Sequence, residues 1–191
     1  MELRGLVSLV CFGLLGGCGG STTGTESGFV EDTGASGADG TGASDDASGG
    51  GDPFAAEPTC TSGATWTSGD RGSQQMHPGM ACIGCHAKDF RAPKHKIAGT
   101  VFPTAHEPDD CVSKVSGLQV VITGADGKAL TLTPNASGNF FSLAPVAMPY
   151  TAKVVSGGKE RAMLGEQSNG DCNACHTQAG KNGAPGRIIG P

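Results

Sequence analysis

Through the middle of the chain apolar and polar residues alternate with period two, a pattern that predicts strands rather than helices. The first run is Ile97-Ala98-Gly99-Thr100-Val101-Phe102 and the second Leu118-Gln119-Val120-Val121-Ile122-Thr123. Gly124-Ala125-Asp126-Gly127 follows with the Asp-Gly pair of a tight turn, after which Leu130 and Leu132 alternate with Thr131 and Thr133. A hairpin is expected there. Asn135-Ala136-Ser137-Gly138-Asn139 turns the chain into Phe140-Phe141-Ser142-Leu143, and Tyr150-Thr151-Ala152-Lys153-Val154-Val155 reads as a fifth strand. Five short strands at this spacing predict a mainly β fold, with a small β-sandwich over residues 97–160.

The beginning of the chain has a different texture. Residues 1–17 have a short charged start (Glu2, Arg4), an apolar stretch from Leu6 to Leu15, and the small residues Gly16 and Gly17 before Cys18. They read as an export signal, too short to span a membrane. Residues 18–58 are almost wholly Gly, Ser, Thr, Ala, Asp and Glu, with too little apolar surface to offset the entropy of ordering them. A disordered acidic tether is expected, ranging some 35 Å on average by the square-root law for flexible linkers.

Charge follows the same division. The stretch from Gly19 to Pro58 holds eight acidic residues and no Lys or Arg, while Thr59 to Pro191 carries twelve basic against nine acidic, a balance of +3. No dense basic stripe exists and the chain has one Trp and one Tyr, so a nucleic-acid partner is not expected. Leu15-Gly16-Gly17-Cys18 resembles the lipobox of bacterial lipoproteins. That resemblance implies a lipid on Cys18, and with Gly19 following, placement at the outer membrane, facing the periplasm or the cell surface.

The cysteines carry the chemistry. Beyond Cys11, within the signal, and Cys18 there remain Cys60, Cys82, Cys85, Cys111, Cys172 and Cys175. Four of them fall in two copies of C-x-x-C-H: Cys82-Ile83-Gly84-Cys85-His86 and Cys172-Asn173-Ala174-Cys175-His176. This is the attachment signature of c-type haem. Two thiols about one helical turn apart add across the porphyrin's two vinyl groups, and the adjacent His lies beneath the iron. One chance copy is expected on the order of 10⁻² per chain of this composition, and two on the order of 10⁻⁴. A zinc site would usually separate its C-x-x-C pairs by about 12–20 residues, and 86 lie between Cys85 and Cys172. A thioredoxin-like redox pair would occur once, in a βαβ frame. Cys60 and Cys111, left over on either side of the first motif, are expected to form a structural disulfide in an exported protein.

The chain as a whole resembles a small dihaem c-type cytochrome lipoprotein. Its middle, through Ile97-Ala98-Gly99-Thr100-Val101, Val120-Val121-Ile122-Thr123-Gly124-Ala125-Asp126-Gly127 and Ser137-Gly138-Asn139-Phe140, resembles the carboxypeptidase regulatory-like, prealbumin-type sandwich over about 60 residues. The implied plan is a first haem c segment at 59–96, the sandwich at 97–160 and a second haem c segment at 161–191. The resemblance to c-type cytochromes makes His86 and His176 proximal iron ligands of two haem c groups. His77, His95 and His106 remain for the distal sides. Chain reach favours His77 on one haem and His106 on the other, with His95 and Met163 as alternatives. His95, between Lys94 and Lys96, reads as a solvated surface residue, and Arg187 near the end is a candidate partner for a haem propionate.

Two irons each closed by two protein ligands leave one-electron transfer as the chemistry. An electron carrier working with redox partner proteins, rather than an enzyme, is the expectation, with assembly of like copies allowed. The alternatives are a haem enzyme reducing peroxide or a nitrogen oxide at an open iron, and a binding or sensory module built on the sandwich. Dihaem peroxidases share both motifs but are much longer chains. Whether the two haem segments emerge side by side or at opposite ends of the sandwich depends on which strands neighbour each other.

Overall fold

The protein is described from a computed structural model, which covers Phe54 and residues 57–191. The expected export signal at 1–17, the expected lipid site at Cys18 and nearly all of the expected acidic tether at 18–58 lie outside the described residues.

Among the described residues seven strands form in chain order: β1 (Ile97–Phe102), β2 (Gln119–Gly124), β3 (Ala129–Leu132), β4 (Asn139–Ser142), β5 (Tyr150–Ser156), β6 (Lys159–Ala162) and β7 (Ile188–Ile189). They make two sheets, β4-β1-β7 and β3-β2-β5-β6. The fold is mainly β. Its helical parts among the described residues are α1 (Cys82–His86) and a 3₁₀ turn (Cys172–Ala174), and no helix there is long and apolar enough to cross a membrane.

The Asp-Gly turn sets the register of the larger sheet. Gly127 takes φ 73°, its amide donates to the Gly124 carbonyl at 2.9 Å, and Val120 and Ile122 then face Leu132 and Leu130 across β2 and β3. Period two puts Val120 and Ile122 on one face, where they join Ile97, Val101, Phe140, Tyr150 and Val154 in the core. Each such side chain, fully buried, contributes on the order of 1.5–3 kcal/mol.

β1 departs from simple alternation, because all six of its residues are buried. One face meets the core and, at Gly99, the start of the second motif, while Thr100 on the other face bonds to both motif segments. Gly99 shows how closely they approach: a Cβ there would stand 2.6 Å from Phe140 Cζ and 2.8 Å from Cys172 Cβ.

Two strands escaped the sequence pattern. β6 reads Lys-Glu-Arg-Ala, is exposed throughout and has no apolar face; it forms because Gly157 and Gly158, both at positive φ, fold it back on β5. It also carries the sandwich past the expected boundary at 160. β7 is two residues long, and it returns the C-terminal segment to pair in parallel with β1, Val101 against Ile188 and Phe102 against Ile189. The 161–191 segment therefore completes a sheet rather than trailing from it. On the other side Cys60 and Cys111 form a disulfide with Cα atoms 5.5 Å apart.

Candidate functional site

The two C-x-x-C-H motifs meet on β1. Ala98 donates its amide to the Gly170 carbonyl at 2.9 Å, which lays the start of the second motif along the strand. Asn173, inside that motif and 2 % exposed, then reaches across. Its Oδ1 accepts from the Thr100 amide at 3.0 Å, and its Nδ2 donates to Thr100 Oγ1 at 3.0 Å and to the Met80 carbonyl at 2.9 Å. Thr100 Oγ1 also accepts from the Gly79 amide and donates to Asn139 Oδ1, so the hydroxyl is fully satisfied. Asp171 completes the joint, its Oδ2 accepting from the Gly84 amide in the middle of the first motif at 2.8 Å. Asn173 Nδ2 lies 3.9 Å from Cys82 Sγ. β1 and β5, the first and last strands anticipated from the sequence, belong to different sheets. The motif segments nevertheless lie together, because both dock on β1.

Each motif histidine is held in the same way. His86 Nδ1 stands 3.0 Å from the Pro93 carbonyl oxygen, and His176 Nδ1 2.9 Å from that of Gly186. A carbonyl can only accept, so each Nδ1 carries a proton, and in the neutral ring each Nε2 keeps its lone pair. That is the tautomer an imidazole needs to bind a metal through Nε2, with its orientation fixed by an outer hydrogen bond. Burial also holds the pKa of His176 below the usual histidine value, keeping the ring neutral.

Burial pushes the Cys82 and Cys172 thiols up to about 12, with Asp171 acting in the same direction on both. Undisturbed, both remain protonated, which weighs against a reactive thiolate pair. Among the described residues one group of three potential metal donors converges: Cys60, Glu107 and Cys111. Its two sulfurs are joined to each other, so they supply no thiolate. The four motif thiols form no convergent group there.

The two motifs differ in setting. Cys172, Cys175 and His176 line a cavity of about 410 Å³ whose other walls include Phe140, Tyr150 and Met163. Its size falls within the roughly 300–1,000 Å³ of sites for organic ligands, and its largely apolar walls suit a porphyrin face. Around the first motif Cys85 is exposed, as is Phe90 at 89 %. That motif opens to the surface.

The other candidate ligands sit in unlike places. His77 has Nδ1 2.9 Å from Asp110 Oδ1 and Nε2 3.2 Å from Asp70 Oδ1, with Trp66 packed edge-on against its ring. His106 lies with Nδ1 2.5 Å from the Gln178 carbonyl and Nε2 2.7 Å from the Phe54 carbonyl. His95 is not the solvated residue its flanking lysines suggested. Its ring packs 5.1 Å from that of His86 and 4.8 Å from that of Phe141.

Arg187 is the residue whose role the sequence concealed most. It is 2 % exposed and bonds to protein on every side: Nε to the Glu107 carbonyl, Nη1 to the Gly79 and His176 carbonyls, and Nη2 to Asp109 Oδ1 at 2.6 Å. Its guanidinium ties both motif segments to the 104–110 loop and is not left over for a propionate. Gly79 makes room for it, since a Cβ there would lie 2.9 Å from Arg187 Nη1.

No family model, curated protein or solved structure matches the chain.

Proposed function

We propose that the protein is an exported dihaem c-type electron carrier, tethered to the outer membrane through a lipid on Cys18. The observation that carries this reading is the repeated setting of the motif histidines, each with Nδ1 hydrogen-bonded to a backbone carbonyl, which leaves Nε2 for a metal. A zinc site would use the same nitrogen but would also draw the motif thiols together, and among the described residues they form no convergent group.

The residues divide the work. Cys82 with Cys85, and Cys172 with Cys175, would hold the two haems covalently, while His86 and His176 would bind the irons. Each haem, when bound, supplies an iron that accepts and releases one electron. The protein orients the two imidazoles through Pro93 and Gly186, and packs apolar walls around the second motif. It also keeps the motifs together through Asn173 and Asp171, so the two redox centres share a short, rigid joint.

The test is the full chain made together with haem maturation machinery. Two covalent haems per chain are expected, falling to one in a Cys82→Ala/Cys85→Ala variant, with reduced spectra unaffected by carbon monoxide. Absence of covalent haem overturns the reading. Prompt gas binding by the intact protein would replace electron carriage with catalysis or gas sensing.

A further inference from the structure

We infer that the two irons have unlike second ligands, His95 completing the iron held by His86 and Met163 the iron held by His176. Electrons then settle on the second haem. The inference rests on the dihaem reading and names the ligand pair at each of its sites.

Proximity to a motif histidine selects His95. His77 is held between the Asp110 and Asp70 carboxylates, and His106 between the Gln178 and Phe54 carbonyls. Two histidine nitrogens are buried with no hydrogen-bond partner, His77 Nε2 and His95 Nδ1, and of these two rings His95 is the one that packs against a motif imidazole. A buried imidazole nitrogen left unmatched is costly unless something takes its lone pair. This ring stands 5.1 Å from the one imidazole already oriented for metal at the first motif, and Phe141 backs it. Two imidazoles on one metal, with metal–nitrogen bonds of about 2.0 Å, have centroids roughly 6 Å apart. The observed separation is about 1 Å shorter, so the two rings must part for both to reach one iron.

A different observation selects Met163. The cavity that contains Cys172, Cys175 and His176 is lined by no second histidine. Its Tyr150 hydroxyl donates to the Asn169 carbonyl at 2.8 Å, and its Lys153 ammonium pairs with Glu160 at 2.6 Å. Met163 is the soft donor that remains in the lining beside the motif thiols. A thioether in place of an imidazole raises an iron's reduction potential. The apolar cavity acts in the same direction, since a dry setting disfavours the more highly charged ferric site. Ligand and setting together make the exposed first haem the donor and the second haem, against its apolar walls, the acceptor.

The experiment is optical redox titration with near-infrared spectroscopy of the haem-loaded full chain and its variants. The intact protein is expected to show two resolved one-electron waves and a thioether-to-iron charge-transfer band. His95→Ala should make the low-potential haem high-spin and open to carbon monoxide. His95→Met retains a ligand, and should keep that haem low-spin while raising its wave. Met163→Leu should remove the near-infrared band and move the high-potential wave alone, whereas His77→Ala and His106→Ala leave both irons closed. A single unresolved wave without the thioether band overturns the inference, as does an iron opened by His77→Ala or His106→Ala and untouched by His95→Ala. Failure to attach haem at all is the separate result that overturns the dihaem reading itself.

Discussion

Asp171 Oδ2 accepts the backbone proton of Gly84 at 2.8 Å, so the residue preceding the second C-x-x-C-H holds the middle of the first. The two motifs are 86 residues apart along the chain between Cys85 and Cys172, yet they form one structural unit. Burial raises the pKa of Asp171 above the ordinary carboxylate value, and the amides of Gly84, Ile83 and Cys82 offset part of that rise.

A raised carboxyl pKa gives stability a definite pH dependence. The folded protein then holds this proton more tightly than the unfolded chain, whose Asp titrates near about 3.9. Stability from this group is complete below that value, is lost as pH rises through the folded pKa, and levels off above it. Asp171→Asn keeps an acceptor for Gly84 and removes the titration. Thermal midpoints of the haem-loaded protein, measured from about pH 4 to neutrality, should show a downward contribution in the parent that is missing in the variant.

Asn173→Ala removes the side chain that joins Thr100 and Met80, breaks three hydrogen bonds and leaves the buried Thr100 amide without its partner. The expected loss is about 2–4 kcal/mol, combining broken hydrogen bonds with stranded polar atoms. Urea unfolding of the haem-loaded protein measures it. A variant within 0.5 kcal/mol or so of the parent, the scatter of ordinary surface changes, would show that the joint is not structural.

Gly79→Ala meets two obstacles at once. The backbone there lies at φ 90°, outside the comfort of L side chains, and the new Cβ would press on the Arg187 guanidinium. A loss of about 1–3 kcal/mol follows from the strain alone. Gly72→Ala is the matched comparison, because a Cβ at Gly72 has nothing within 4 Å; it should be close to neutral by the same unfolding assay.

Removing the disulfide with Cys60→Ala/Cys111→Ala frees a loop spanning 51 positions. Loop-closure entropy puts the cost at about 4 kcal/mol. Haem content should be preserved, since neither cysteine belongs to a C-x-x-C-H motif, and a loss of haem together with stability would make this pair part of the site.

Much of the architecture was legible because it is local. Period two in Val120-Val121-Ile122 and the Asp126-Gly127 turn specify a hairpin with one buried face, and the structure builds that hairpin in that register. The two C-x-x-C-H runs were equally legible, since five consecutive residues carry the whole signature. β6 was not, because it depends on pairing with β5 rather than on any apolar pattern of its own.

The sequence by itself determined that strands dominate the region after Lys96, that two C-x-x-C-H motifs flank it, and that the net negative charge of the chain is concentrated in its acidic N-terminal stretch. Each of these is a property of neighbours along the chain. Tertiary structure alone decided that β1 carries both motifs, that Arg187 ties them to the 104–110 loop, and that His95 rather than His77 stands beside His86. Those relationships bring together residues from 9 to 108 positions apart, such as Arg187 with Gly79. They arise from hydrogen bonds and burial that no local pattern encodes: a buried side chain must satisfy its polar atoms with whatever the folded chain places within about 3 Å.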